Sequence, residues 1–228
     1  MRVARGLIAI LLSGVVLLIM LRLLQPAGDA YAARHAAPLD VVISEAAWGG
    51  TAANANAEWM ELRNNTSGTI DLSGWRLFSG DGTPDIVLNG VIAPGGYFLL
   101  ERTADTTISD IPADQLYTGA LVNTGESLTL TDALSNVIDT ANGDGGAWPG
   151  GSGSPGFYSM ERIDARAPDT DANWTSNDGV TRNGLDANGQ PVNGTPRQPN
   201  SARSPAPPGS VLIGAVHFSA YANGDESF

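Results

Sequence analysis

Glu58-Trp59-Met60-Glu61-Leu62-Arg63-Asn64, followed by Asp71-Leu72-Ser73-Gly74-Trp75-Arg76-Leu77, decides how this chain is read. In the first stretch Met60 and Leu62 alternate with Trp59, Glu61 and Arg63. A strand sends successive side chains to opposite faces, so Met60 and Leu62 share one face. The second stretch follows a polar turn and places Trp75 and Leu77 on the next strand. Glu58 and Glu61, three apart, fall on opposite faces. That geometry reads as edge polarity or strand-end hydrogen bonding rather than a catalytic carboxylate pair.

The pattern continues in both directions. Val41-Val42-Ile43-Ser44-Glu45-Ala46 is β-branched and then alternates. Ile86-Val87-Leu88 follows a Gly-Asp-Gly-Thr-Pro turn at residues 80–84. Pro94-Gly95 feeds Tyr97 to Leu100, because Pro presets φ at the second turn position and Gly accepts positive φ after it. Leu116 to Leu121 is a weaker strand. Ser127 to Thr131 alternates, and Val137-Ile138-Asp139 can pair with it across the turn at 133–136. Gly143 to Gly156 is a glycine-rich loop around Trp148. Ser159 to Ile163 is the last strand, and residues 173–198 read as a loop that closes the domain. Short strands at such spacing between turns predict an all-β sandwich.

Several of these elements, in this order, resemble the lamin-tail domain family. They are Val42-Ile43-Ser44-Glu45, the Glu58–Asn64 strand, Asp71-Leu72-Ser73-Gly74-Trp75, Pro94-Gly95-Gly96-Tyr97, Gly125-Glu126-Ser127-Leu128 and Ser159-Met160-Glu161-Arg162. The resemblance spans about residues 39–175. It implies an immunoglobulin-like β-sandwich without the cysteine pair of antibody domains, in keeping with a chain that has no Cys. It also implies secreted bacterial relatives in which such domains make surface contacts or accompany hydrolases.

The flanks organise the rest. Arg2 and Arg5 precede an apolar run from Leu7 to Leu21, and Ala30-Tyr31-Ala32 offers small residues for signal peptidase. This is the layout of a secretory signal over residues 1–32. An uncleaved membrane anchor is the alternative, with Arg22 snorkelling to the interface. The sandwich domain is placed at 39–198, and a Pro-rich linker at 199–209. Residues 210–228 read as the start of a truncated second repeat. There, Val211 to Phe218 can be laid on Val41 to Trp48, and Glu226-Ser227-Phe228 on Glu58-Trp59-Met60.

Composition narrows the chemistry. All 12 basic residues are Arg, and 24 acidic residues bring the formal net charge to −12. Without a basic stripe the chain is a poor nucleic-acid binder. His occurs only at 35 and 217, so a Ser–His–Asp arrangement inside the sandwich has no base. No Cys nucleophile exists, and there is no phosphate-binding Gly-Lys-Ser/Thr loop. Calcium is the one metal to consider: Asp169, Asp171 and Asn173 have the one-apart spacing of a calcium loop. Trp174 at position six and Val180 at position twelve break the EF-hand pattern. The competing reading is a turn whose Asx side chains bond their own backbone. Asp144 and Asp186 sit in similar loops. Trp48 and Trp148, in or beside loops, are the candidate binding aromatics; core packing competes for both.

The expectation is therefore an exported, non-enzymatic binding or scaffold module without a cofactor. It would contact extracellular protein, glycan or cell wall, secreted or at the cell surface. Membrane contact arises only if the leader stays uncleaved. The alternative is an accessory N-terminal domain of a larger secreted hydrolase, a nuclease or phosphoesterase.

Overall fold

The computed structural model describes residues 36–202. The leader, His35, most of the proposed linker, His217 and the proposed second repeat lie outside them. Twelve strands follow in chain order: β1 (Val41–Ala47), β2 (Trp59–Asn64), β3 (Ile70–Asp71), β4 (Arg76–Ser79), β5 (Asp85–Val87), β6 (Val91–Ile92), β7 (Tyr97–Arg102), β8 (Gln115–Tyr117), β9 (Leu128–Thr131), β10 (Val137–Ala141), β11 (Met160–Arg162) and β12 (Trp174–Ser176). A six-stranded sheet runs β12-β11-β1-β2-β7-β8, a four-stranded sheet runs β10-β9-β4-β5, and β3 pairs with β6. Every pairing is antiparallel except β7 with β8. The parallel pair requires a crossover, supplied by residues 103–114.

The two larger sheets pack face to face as an immunoglobulin-like sandwich. Strand alternation selects the core. Met60 and Leu62 of β2, Phe98 and Leu100 of β7, and Met160 of β11 face Leu77 of β4 and Leu128 and Leu130 of β9. Leu72 and Trp75 of the Leu-Ser-Gly-Trp turn are buried among them. At about 25 cal/mol per Å² of apolar surface removed from water, this cluster supplies most of the drive to fold.

Polar ties close the two sides of the sandwich. On one side Arg162 of β11 is fully buried between the sheets. Its Nη2 donates to Asp139 Oδ2 of β10 at 2.6 Å and to Thr140 O at 2.7 Å, and its Nε donates to Ile43 O at 3.0 Å. The guanidinium lies 4.6 Å from the centre of the Trp174 ring. The backbone N–H of Ile43 donates to the same Asp139 Oδ2 at 2.8 Å. Burial pushes the Asp139 carboxyl up to about 7, against the pull of Arg162. On the other side the Gln115 side chain acts as a strand partner for the edge at β5. It donates to Val87 O at 2.9 Å and accepts from Asn89 N at 3.0 Å. An otherwise open edge, prone to pairing with other chains, is thereby occupied.

Within the stretch read as linker, the Asn200 side chain is buried and donates to Ser44 O and Arg162 O at 2.9 and 2.8 Å. The side chains of Asn64 and Asn173, each the first residue of an Asn-X-Thr triplet, are engaged inside the domain. Asn64 Nδ2 donates to Gly68 O, Ile92 O and Ala93 O, and Asn173 Nδ2 donates to Asp164 O. Both residues are buried, so neither amide is presented for glycosylation of the folded domain.

Replacing Asp139 by Ala leaves Arg162 charged and unpaired between the sheets. Urea denaturation should then show a loss of about 3–5 kcal/mol. Replacing both residues by apolar side chains of similar volume should recover most of that loss.

Candidate functional site

The outer face of the six-stranded sheet is covered, not solvated. Ala47, Trp59 and Leu99 point outward and pack with Ile108 of the crossover and Val192 of the C-terminal segment. We call residues 183–202 the strap. The strap contains no regular strand or helix; some of its backbone N–H groups bond within it, as Asn183 N to Gly194 O and Val192 N to Gly184 O, and the rest need acceptors from the sheet. Buried N–H groups need acceptors. The sheet supplies them as glutamates.

Glu45 of β1, Glu61 of β2 and Glu161 of β11 are all fully buried. Glu45 is the direct cross-strand neighbour of both others. A bulge in β1 makes this row possible. Ile43 pairs with Leu62 and Glu45 with Glu61, leaving Ser44 as the extra residue. The bulge turns Glu45 outward and keeps Ala46 in the core. Glu45 Oε1 accepts from Ser159 Oγ at 2.5 Å and from Thr195 N at 2.9 Å. Glu61 Oε2 accepts from Arg197 N at 2.5 Å. Glu161 Oε2 accepts from Ser201 N at 2.8 Å and Ser201 Oγ at 2.5 Å, and Oε1 accepts from Asn177 Nδ2 at 2.7 Å. Glu101 of β7 repeats the device on the crossover, accepting from Thr107 N at 2.9 Å and Ile108 N at 3.1 Å.

Burial raises Glu45, Glu61 and Glu101. Glu45 is pushed up to about 8 by desolvation and then by the Glu161 charge, against the pull of its donors. Desolvation and the Glu45 charge hold Glu61 well above its ordinary range. Desolvation lifts Glu101 to about 7.

The residues singled out from the sequence fall in different places. Glu58 fits strand-end hydrogen bonding: Oε1 accepts from Arg102 at 2.9 Å and Oε2 from Leu121 N at 2.7 Å. Glu61 does not fit edge polarity. Its strand lies between β1 and β7, and the strap covers its outer face. Asp169 is half-buried and already accepts from Thr140 Oγ1 at 2.7 Å, Gly143 N at 2.7 Å and Trp174 Nε1 at 2.6 Å. Asn173 turns inward, its Oδ1 accepting from Asp164 N at 2.9 Å. Asp171 is exposed and, with Asp144, lines an open groove of about 550 Å³. Asp186 closes its own turn by accepting from Asn188 N and Gln190 N. Among the described residues, no group of three or more His, Cys, Asp or Glu side chains is gathered as a metal site.

Trp48 and Trp148 come together. Their rings stack with centroids 6.3 Å apart and planes 7° from parallel. Trp48 Nε1 donates to Gly150 O at 2.9 Å and Trp148 Nε1 to Val122 O at 2.8 Å. Both rings are half-buried and lean on the main core. A small cavity of about 20 Å³ beside Trp59 and Val192 has room for little more than one water molecule.

These features define an immunoglobulin-like sandwich whose outer sheet face is sealed by its own chain. Residues 34–143 match the family described as Lamin Tail Domain, and the sandwich is a lamin tail domain. The match ends before β11 and β12, which complete the larger sheet. No curated protein matches the chain.

The raised carboxyls set the sign of the pH dependence. Below about 4.5 these groups are protonated both folded and unfolded, and their contribution to stability is intact. As pH rises toward 8 the unfolded chain releases protons that the folded chain retains. Stability is therefore lost across that window, by about 1.4 kcal/mol per pH unit for each such group. Urea midpoints should be higher at pH 5 than at pH 8.

Proposed function

We propose that this chain is an exported, non-enzymatic binding and scaffold module that makes protein, glycan or cell-wall contacts at the bacterial cell surface. The observation that carries the reading is how the buried carboxylates are used. Glu45, Glu61, Glu101 and Glu161 accept hydrogen bonds from the chain's own backbone and hydroxyl groups. A general acid or base must instead reach a substrate proton. The secretory layout of residues 1–32 and the membership of a β-sandwich family support the same reading.

Contact is assigned to the end that carries the Trp48–Trp148 stack. The two Nε1 hydrogen bonds fix the rings, so little side-chain entropy is lost when a partner packs on them. The open groove beside Asp144 and Asp171 lies along the same glycine-rich loop. The full chain should be retained on purified cell walls or a glycan array, and Trp148→Phe should weaken retention while leaving the unfolding curve nearly unchanged. The full chain should also be inert toward phosphoester, glycoside and peptide substrates. Turnover that survives repurification would overturn the non-enzymatic reading.

A further inference from the structure

The glutamate row has more acceptors than its hydroxyl donors can serve. Thr195 Oγ1 lies 3.0 Å from Glu45 Oε2 and 3.1 Å from Glu161 Oε1. A hydroxyl carries one proton and can donate to one of these oxygens. The other contact becomes a hydrogen bond only when that carboxyl is protonated and donates to Oγ1. Cross-strand geometry demands the same proton, because directly opposed like charges repel and burial multiplies the cost.

The surrounding charges do not substitute for it. Glu45 faces from β1, Glu61 from β2 and Glu161 from β11. Glu101 of β7 shares the face but is taken up by the crossover. From the strap, Arg197 acts on Glu61, yet its guanidinium is bonded to Asp114 Oδ2 at 2.8 Å. Asp105 accepts from Ala113 N and Asp110 from Leu185 N. Asp178 caps its own turn, Arg182 donates to Asn193, and Asp186 is held in its turn.

We propose that the row is a proton-locked latch. A proton on Glu45, which Thr195 bridges to the facing Glu161, holds the strap on the sheet, and its loss lets residues 183–202 open while the sandwich stays folded. The strap is held by hydrogen bonds to these carboxyls, by the small apolar contact at Val192, and by neutral bonds such as Ser159 N to Asn193 O and Asn200 Nδ2 to Ser44 O; the row is the part of that hold that titrates. Charging the row sets carboxylate against carboxylate beneath it. Opening would uncover Trp59 and Leu99, now nearly inaccessible.

Glu45→Gln copies the protonated state. Its Oε1 keeps Ser159 and Thr195 N, while the amide nitrogen can donate to Thr195 Oγ1. The test is native-state amide exchange on the full chain, with protection factors corrected for intrinsic rates. In the unmodified chain, protection at Thr195 and Arg197 should fall by about tenfold per pH unit for each proton released between about pH 5 and pH 8. At pH 8 the amides of β9 and β10 should remain better protected than the strap. Glu45→Gln should flatten the slope, and Glu45→Gln with Glu61→Gln should abolish it. Infrared spectra of the unmodified chain at pH 7 should show a protonated-carboxyl stretch that fades as the strap opens, a readout that stands if the variants fail to fold. Strap protection independent of pH overturns the latch. So does equal protection of strap and sandwich at every pH, or the lack of the infrared band.

Discussion

An irregular segment laid over a sheet brings backbone N–H groups that its own turns satisfy only in part. In this domain the constraint is met from below. Glu45, Glu61, Glu101 and Glu161 stand on the outer face of the six-stranded sheet and take up the amides of Thr195, Arg197, Thr107, Ile108 and Ser201. An unmet buried N–H costs about 1–3 kcal/mol, so a handful of such bonds decides whether the layer stays down. The sheet thus gains a third layer that is mostly polar backbone, with one small apolar cluster at Trp59, Leu99, Ile108 and Val192.

Close approach follows from this design. Strap and sheet sit too near for most side chains. A Cβ at Gly194 would lie 2.6 Å from the Trp59 ring and 2.8 Å from Glu45 Oε1. Glycine is therefore required where the strap crosses the row. The arrangement also ties the end of the described region to its first strand: Thr195 and Asn200 bond to β1. The Arg162–Asp139 pair then carries that connection through the core to the smaller sheet. Burial of charge within the module is thus matched by internal partners. The half-buried Trp48–Trp148 stack and the acidic groove are the places to which we assign the proposed contact.

The sandwich was legible because its inner faces obey simple alternation. Met60 and Leu62, Leu128 and Leu130, and Leu72 and Trp75 of the Leu-Ser-Gly-Trp turn follow that pattern and lie in the core. The row of glutamates was not legible, since an outward Glu on a strand reads the same whether water or chain covers it. The available signal was the recurrence of Ser44-Glu45-Ala46, Met60-Glu61-Leu62 and Met160-Glu161-Arg162. Each sets one Glu among neighbours that are themselves buried. The strap carried no periodic signal, because it is held by hydrogen bonds rather than by an apolar face. Gln115 was missed for the same reason: its role is a pair of hydrogen bonds across a seam that only the assembled sheets create.

The central claim is that the outward glutamates hold the covering layer by accepting its amide protons. Amide exchange on the Glu161→Leu chain tests it most directly, since this change removes the acceptor of Ser201 N while keeping an apolar side chain on β11. The account predicts that Ser201 and Ala202 lose their protection while the amides of β2 and β7 keep theirs. Unchanged protection at Ser201 and Ala202 would contradict it.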